Sequence, residues 1–392
     1  MRRPGAEAKE GETDMTIDLT RRTLFGAASL GTAMALGGLP GLARAVDAPE
    51  GSGGIAASFG PSPGIALLSR NENPYGPSPR AIAAIGETAA KGCYYADKGA
   101  ARLTAMIAER FGVTPEHVIL GEGSTEVLCA AALALGRPKP IVCPDLFWDT
   151  TALHAERQGA VLTRVPLRAD MGIDLDGLAA AAPGAGLVHV CNPNNPTAML
   201  IDGPTMQAFV DRVGPIATVL VDEAYNELVD DPEGSSVASM VKDGANLVVC
   251  RTFSKIYGMA GLRVGYGITQ PDLAARIRPY LMSFGGNAMG LAAAIASYND
   301  TAFMRASRAH IVEARGILLN AARRAGLEVL PSQANFLFVK VDDADRVQRA
   351  MAERNIMIRG AYGRWTHWSR VSTGRIEDVK RYAAALPAMV GA

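Results

Sequence analysis

The sequence has no excess of charge of either sign. Its 39 lysines and arginines are matched by 39 aspartates and glutamates, so no overall field favours nucleic acid or an acidic surface. Basic stretches interleaved with aromatics are missing too, which argues against a nucleic-acid partner and for a small-molecule one. After residue 45 no apolar run reaches the roughly eighteen residues of a membrane-spanning helix. Cysteine is scarce: Cys93, Cys129, Cys143, Cys191 and Cys250 are odd in number and widely spaced. Without a Cys-x-x-Cys or Cys/His ligand spacing, neither a metal site such as zinc nor a disulfide framework is expected. Settings such as Ile141-Val142-Cys143 and Leu247-Val248-Val249-Cys250 suggest core packing instead. What remains is a 392-residue chain, 48% hydrophobic, long enough for a sizeable core and for two domains rather than one.

Residues 1–45 read differently from the rest. A charged leader runs into Thr20-Arg21-Arg22-Thr23-Leu24-Phe25, then a short Gly/Ala-rich apolar stretch ends at Leu42-Ala43-Arg44-Ala45. This resembles a twin-arginine signal peptide, with cleavage expected after Ala45. The resemblance implies that twin-arginine export machinery takes the precursor already folded from the cytoplasm to the periplasm or beyond. Folding in a reducing compartment agrees with the missing disulfide framework.

Residues 46–79 are rich in Gly, Pro and Ser and read as a linker and extended arm. Beyond them, short apolar runs at 118–120, 140–143, 160–165, 186–191, 216–221, 246–250 and 264–268 alternate with helical stretches such as 124–136, 149–158 and 203–213. The alternation predicts an α/β fold, a largely parallel sheet between helices. A long helical stretch over 287–325 leads to strand-like 327–330 and 335–340, a helix near 344–354, and strand-like 355–359 and 368–372. The expected division is an arm with part of a small domain over 46–100, a large domain over 101–285 and a small α/β domain over 286–392.

In parallel sheets ligands gather at the carboxyl ends of strands. After 118–120 comes Gly121-Glu122-Gly123-Ser124-Thr125 opening a helix, where glycine lets backbone approach an anion and free amides hold it. After 186–191 comes Asn192-Pro193-Asn194-Asn195-Pro196-Thr197; after 216–221, Asp222-Glu223-Ala224-Tyr225; after 246–250, Arg251-Thr252-Phe253-Ser254-Lys255, with Arg263 eight residues on. Each taken singly has a bland reading as a turn, a helix cap or a solvated loop charge.

Together these motifs resemble the fold-type I aminotransferases, within them the histidinol-phosphate aminotransferase-like branch. The likeness runs from Asn71-Glu72-Asn73-Pro74 to Arg370-Val371-Ser372-Thr373-Gly374. It implies a large domain with a seven-stranded, mostly parallel sheet, a smaller α/β domain, and pyridoxal 5'-phosphate held as a Schiff base on Lys255. Substrate amine would displace that lysine, leaving it free as a base. Asp222 would stabilise the protonated ring nitrogen, while Asn195 and Tyr225 bind the phenolic oxygen. Ser124, Thr125, Thr252, Ser254 and Arg263 would hold the phosphate. Tyr95 matches a tyrosine that family members lend to the partner subunit, implying a homodimer with shared sites. For the aromatic stacked on the ring, counting back from Gly159 points to Trp148, whereas counting forward from Pro144 points to Leu146.

Arg370 is expected to bind a substrate carboxylate or phosphate, with Arg359 as a second anion partner and Tyr75 reaching substrate from an arm that closes over the site. Two departures stand out. Ala198 replaces a glycine common after the Asn-Pro turn. The stretch Gly363-Arg364-Trp365-Thr366-His367-Trp368 sets two tryptophans beside the anion site, leaving an aromatic donor open and His367 as a possible substrate contact. The leading reading is ping-pong amino transfer between an amino acid or histidinol-phosphate-like donor and a 2-oxo acid. A related decarboxylase or lyase, or a non-catalytic cofactor-binding protein, are the competing ones.

Overall fold

Short runs of β-branched and aliphatic residues, bounded by Gly, Pro and Asn, form the central sheet. In the computed structural model, which describes residues 58–137 and 139–390, the leader expected over 1–45 lies outside the described residues. The strands in chain order are β1 (Ala66–Leu67), β2 (Val118–Gly121), β3 (Ile141–Pro144), β4 (Leu162–Val165), β5 (Leu187–Cys191), β6 (Thr218–Asp222), β7 (Leu247–Thr252), β8 (Gly265–Thr269), β9 (Phe336–Lys340), β10 (Ile356–Met357) and β11 (Trp368–Ser372). Seven of them make one sheet in the order β2-β8-β7-β6-β5-β3-β4. β8 alone runs opposite to the other six strands. The expected seven-stranded, mostly parallel sheet is therefore present.

Both faces of this sheet are covered, and strand alternation sorts the side chains between them. Val219, Val221 and Val249 enter one core with Phe209 and Phe253, while Leu220, Val248 and Cys250 enter the other with Val127 and Leu128. A further core joins Leu318 of helix Thr301–Arg324 to Leu337, Val339, Val347, Ile356 and Val371. Here β9 pairs antiparallel with β11, and β1 from the arm pairs parallel with β10. The arm is thus stitched to the C-terminal region.

Several expectations need correction. The stretch 287–325 is two helices, Ala288–Tyr298 and Thr301–Arg324, because Asp300 caps the second by accepting from the Phe303 amide at 3.1 Å. Residues 327–330 contribute a single bridge, Val329 to Val339, rather than a strand. Helices Pro79–Ala89 and Asp97–Phe111 lie between the linker-like 46–79 and β2, a stretch to which the sequence pattern assigns no helix. Cys143, Cys191 and Cys250 are buried as expected, but Cys93 is exposed and Cys129 only half-buried, so core packing does not hold for those two.

One core residue has an unusual chemistry. His189 in β5 is buried, meets the Phe147 ring edge-on at 5.0 Å, and has neither ring nitrogen hydrogen-bonded. Burial pushes it down to about 3 from the ordinary 6.5. The folded chain therefore keeps the ring neutral while the unfolded chain protonates it below about 6.5, so stability present above that pH is lost as pH falls. Urea unfolding is expected to show a loss of at most about 1.4 kcal/mol per pH unit from this group between pH 6.5 and 4. His189→Leu should flatten that slope; an unchanged slope would assign the acid sensitivity elsewhere.

Candidate active site

The parallel strands deliver their carboxyl ends to one edge of the sheet. In β5, β6 and β7, Cys191 pairs with Asp222 and Asp222 with Cys250, one row across adjacent strands. Asp222 is buried; its Oδ1 accepts from the Ala224 amide at 3.1 Å and its Oδ2 lies 3.9 Å from the Cys191 thiol. Burial raises its carboxyl to about 7. Lys255 follows β7, half-buried, with Nζ donating to the Arg70 carbonyl at 3.4 Å and lying 5.6 Å from the centre of the Tyr225 ring. Burial, and next the charge of Arg370, bring its amine down to about 8. An amine that loses its proton near neutrality can serve as nucleophile and base.

Tyr225 joins them from the turn after β6. Its hydroxyl accepts from Asn195 Nδ2 at 3.2 Å and from Asn71 Nδ2 at 3.0 Å. Arg370, on β11, donates to Asn195 Oδ1 and to the Ser69 carbonyl, each at 2.6 Å. Its Nε is buried without a partner, leaving a donor for a bound anion. Arg359 is the backbone partner of Arg370, and both guanidinium groups lie over the Tyr362 ring, at 5.2 and 5.8 Å. The two arginines expected at the anion end are therefore side by side.

An anion cradle lies at the start of helix Ser124–Gly136. Gly123 precedes it at φ +73°, and a Cβ there would come within 2.2 Å of Arg263 Nη2. A Cβ on Gly265 of β8 would come within 2.1 Å of the Ser124 amide, so glycine lets strand and helix meet. Arg263 donates to Ser254 Oγ at 3.4 Å and to the Glu122 carbonyl at 3.2 Å, and Thr252 Oγ1 donates to Ser254 Oγ at 2.9 Å. With Thr125 in the first helical turn, backbone amides, hydroxyls and a guanidinium converge as a phosphate requires.

Not every expected residue joins this group. Tyr75 stacks on His310 at 4.3 Å and accepts from the Ile376 amide at 3.0 Å, fastening the arm; its contacts do not include Lys255. Trp148 is half-buried against the core beneath helix Ser124–Gly136, whereas Leu146 packs with Phe338 and Trp368. Tyr95 is 74% exposed beside Phe284. His367 is exposed, its Nδ1 hydrogen-bonded to the Asp342 carbonyl, a local structural role.

Sequence reasoning missed Asn71, Glu126 and the partners of Arg251. Glu126 accepts from the Glu122 amide at 2.6 Å and the Met282 amide at 2.7 Å, clamping the cradle turn. Arg251 donates to Glu223 Oε2 through Nε at 3.0 Å and Nη2 at 2.8 Å, inside the protein. An acidic residue in the first turn after a glycine-rich loop was the available sign for Glu126; nothing local marks Asn71.

Raising a buried carboxyl has a cost that can be measured. Between its ordinary value of 3.8 and about 7, folded Asp222 retains a proton that the unfolded chain releases, so stability present at acid pH is lost as pH rises. Cofactor-free Asp222→Asn is expected to melt above the cofactor-free parent at pH 8, with the gap narrowing by pH 5. Calorimetry at both values checks this, and a variant melting lower at pH 8 would contradict it.

The described residues supply the parts pyridoxal phosphate needs: an amine, a buried carboxyl, donors near a phenolic oxygen, and an anion cradle. Comparisons with known proteins lead the same way. The family model for aminotransferase class I and II matches residues 63–386. The chain is 38% identical over 341 residues to histidinol-phosphate aminotransferase 2 of Ralstonia nicotianae, covering 85% of this chain and 91% of the relative. It is 37% identical to histidinol-phosphate aminotransferase of Symbiobacterium thermophilum, covering 83% and 91%. The solved histidinol-phosphate aminotransferase of Sinorhizobium meliloti, in complex with pyridoxal-5'-phosphate, superposes with a TM-score of 0.77 at 30% identity, covering 83% of this chain and 91% of that one. Likeness of that extent, over the same strands that carry the site, makes this chain a member of the class I and II aminotransferases and a pyridoxal-phosphate-dependent enzyme.

Proposed function

We propose that the chain transfers an amino group from a donor bearing an anionic group to a 2-oxo acid, with Lys255 as the proton carrier. The observation that carries this reading is Lys255, its Nζ 5.6 Å from the centre of the Tyr225 ring and its amine lowered to about 8, within the field of buried Asp222 at the end of β6. When bound, pyridoxal phosphate supplies an aldehyde for the substrate amine and a ring that takes up electrons as the Cα–H bond breaks. Lys255 Nζ would take up that proton and hand it back, as a lysine freed from the cofactor can. Asp222 holds a proton at the ring nitrogen. Ser124, Thr125, Thr252, Ser254 and Arg263 anchor the phosphate, and Asn195 and Tyr225 hydrogen-bond the phenolic oxygen. Trp148 or Leu146 would cover the ring face.

Arg370, with its unpartnered Nε, binds the substrate anion, and Arg359 stands beside it. Histidinol phosphate is the first donor to test, because the Ralstonia and Symbiobacterium relatives bear that name. Tyr362, Trp365 and buried Trp368 near these arginines give the alternative, an aromatic amino acid.

The homodimer reading rests on the family likeness of Tyr95, which is exposed beside exposed Phe284 and would complete the phosphate site of a second copy. Export by the twin-arginine route rests on Arg21-Arg22 and the stretch to Ala45. Detection of the protein only in the cytoplasm with residues 1–45 attached would refute it.

Lys255→Ala is expected to fold, to bind the cofactor without a covalent link, and to lose transamination by at least about a thousandfold. Full activity would overturn the assignment. Single-turnover absorbance of the purified holoenzyme against each amino acid and histidinol phosphate should identify the donor, with release of carbon dioxide marking a decarboxylase instead.

A further inference from the structure

The Tyr225 hydroxyl accepts from Asn195 and has a second partner in the arm. Asn71 Nδ2 lies 3.0 Å from it, 154 residues away in sequence. A phenol oxygen has two lone pairs and one hydrogen. With Asn195 Nδ2 at 3.2 Å and Asn71 Nδ2 at 3.0 Å, both lone pairs are filled by amide donors. The hydroxyl hydrogen must then point elsewhere.

The direction of both amides follows from their other partners. Asn195 Oδ1 lies 2.6 Å from Arg370 Nη1, and a guanidinium can only donate, so the amide oxygen faces arginine and the NH2 faces Tyr225. Ser372 Oγ accepts from the Asn71 backbone amide at 2.9 Å and donates to Asn71 Oδ1 at 2.7 Å. That leaves the Asn71 NH2 for tyrosine. Asn335 Nδ2 donates to the Asn71 carbonyl at 2.8 Å, so every polar group of this buried residue is satisfied.

Asn71 is also backbone-strained, at φ +57°, a left-handed conformation that asparagine tolerates better than most residues. It sits next to Arg70, whose carbonyl accepts from Lys255 at 3.4 Å, and Ser69, whose carbonyl accepts from Arg370 at 2.6 Å. Three consecutive arm residues therefore contact Arg370, Lys255 and Tyr225 in turn. A strained, fully bonded residue at such a place points to a positioning role.

We infer that Asn71 is a positioning residue that forces the Tyr225 hydroxyl to act as donor toward the cofactor's phenolic oxygen, so that the arm sets the proton affinity of the lysine-bound cofactor. This rests on the reading above that Tyr225 faces the cofactor. An aspartate at position 71 keeps the shape and the left-handed backbone but presents a carboxylate that accepts, and so captures the hydrogen. A serine is too short to reach and leaves one lone pair empty.

The test is the pH titration of the visible absorbance of the resting holoenzyme, without substrate, for the parent, Tyr225→Phe, Asn71→Asp, Asn71→Ser and the double variants. Losing the donor leaves more negative charge on the phenolic oxygen, which holds the neighbouring proton more tightly. The charged groups facing Lys255, namely Arg370, Glu72, Asp222 and Arg263, are the same in the parent, Tyr225→Phe and Asn71→Ser; Asn71→Asp adds one carboxylate, whose own field also raises the midpoint. Tyr225→Phe is expected to raise the midpoint by about one pH unit, the scale of one hydrogen bond to a charged group. Asn71→Asp should shift it in the same direction, by charge as well as through the hydroxyl, and Asn71→Ser by less; the uncharged Asn71→Ser change should not add to Tyr225→Phe in the double variant. If Asn71→Asp does not fold, Asn71→Ser carries the same comparison. A parent-like midpoint in Asn71→Ser while Tyr225→Phe moves, or an additive shift in the Asn71→Ser, Tyr225→Phe double variant, would overturn the inference. A Tyr225→Phe midpoint equal to the parent's would instead overturn the reading of Tyr225, and the inference with it.

Discussion

A buried ion pair holds together the two strands that carry the chemistry. Glu223 follows Asp222 at the end of β6, and Arg251 precedes Thr252 in β7. Their bonds at 2.8 and 3.0 Å are supported by Ser236 and by the Val237 amide, which donates to Glu223 Oε1 at 2.9 Å. Arg251 is pushed further up by Glu223 and Glu227, despite its burial, so the guanidinium stays charged. Removing one member of such a pair strands the other and typically costs about 3–5 kcal/mol. Asp222 and the Thr252–Lys255 loop thereby keep a fixed separation.

In front of that clamp the site is organised by opposed requirements. Burial disfavours the charged forms of both Asp222 and Lys255, raising one to about 7 and lowering the other to about 8. A cofactor with a basic ring nitrogen and an aldehyde satisfies both groups at once. Tyr225, held by two amides, and Arg370, committed to Asn195 and Ser69 with Nε spare, form one connected polar run through Asn195. The cradle at Ser124 fixes the far end, where Gly123 and Gly265 allow contacts that a methyl group would block.

Much of this was legible in the sequence because it is local. The apolar runs ending at Cys191, Asp222 and Thr252 have strand period and length, and the residues just beyond them carry the site. Tertiary context decided the rest. Asn71 reaches Tyr225 across 154 positions, and Glu126 reaches Met282 across 156, with no pattern linking the members of either pair. The division of 287–325 turned on the Asp300 cap within an otherwise helical composition. Residues 327–330 have strand composition but find only one bridging neighbour. Tyr75 meets His310 and the Ile376 amide, partners distant in sequence that no local pattern announces.

The central claim is that Lys255 carries the cofactor. Borohydride reduction of the holoenzyme, followed by peptide mass mapping, tests it most directly. A single pyridoxyl adduct is expected, on the peptide containing Lys255. An adduct on another lysine, or none at all with the cofactor bound, would contradict it.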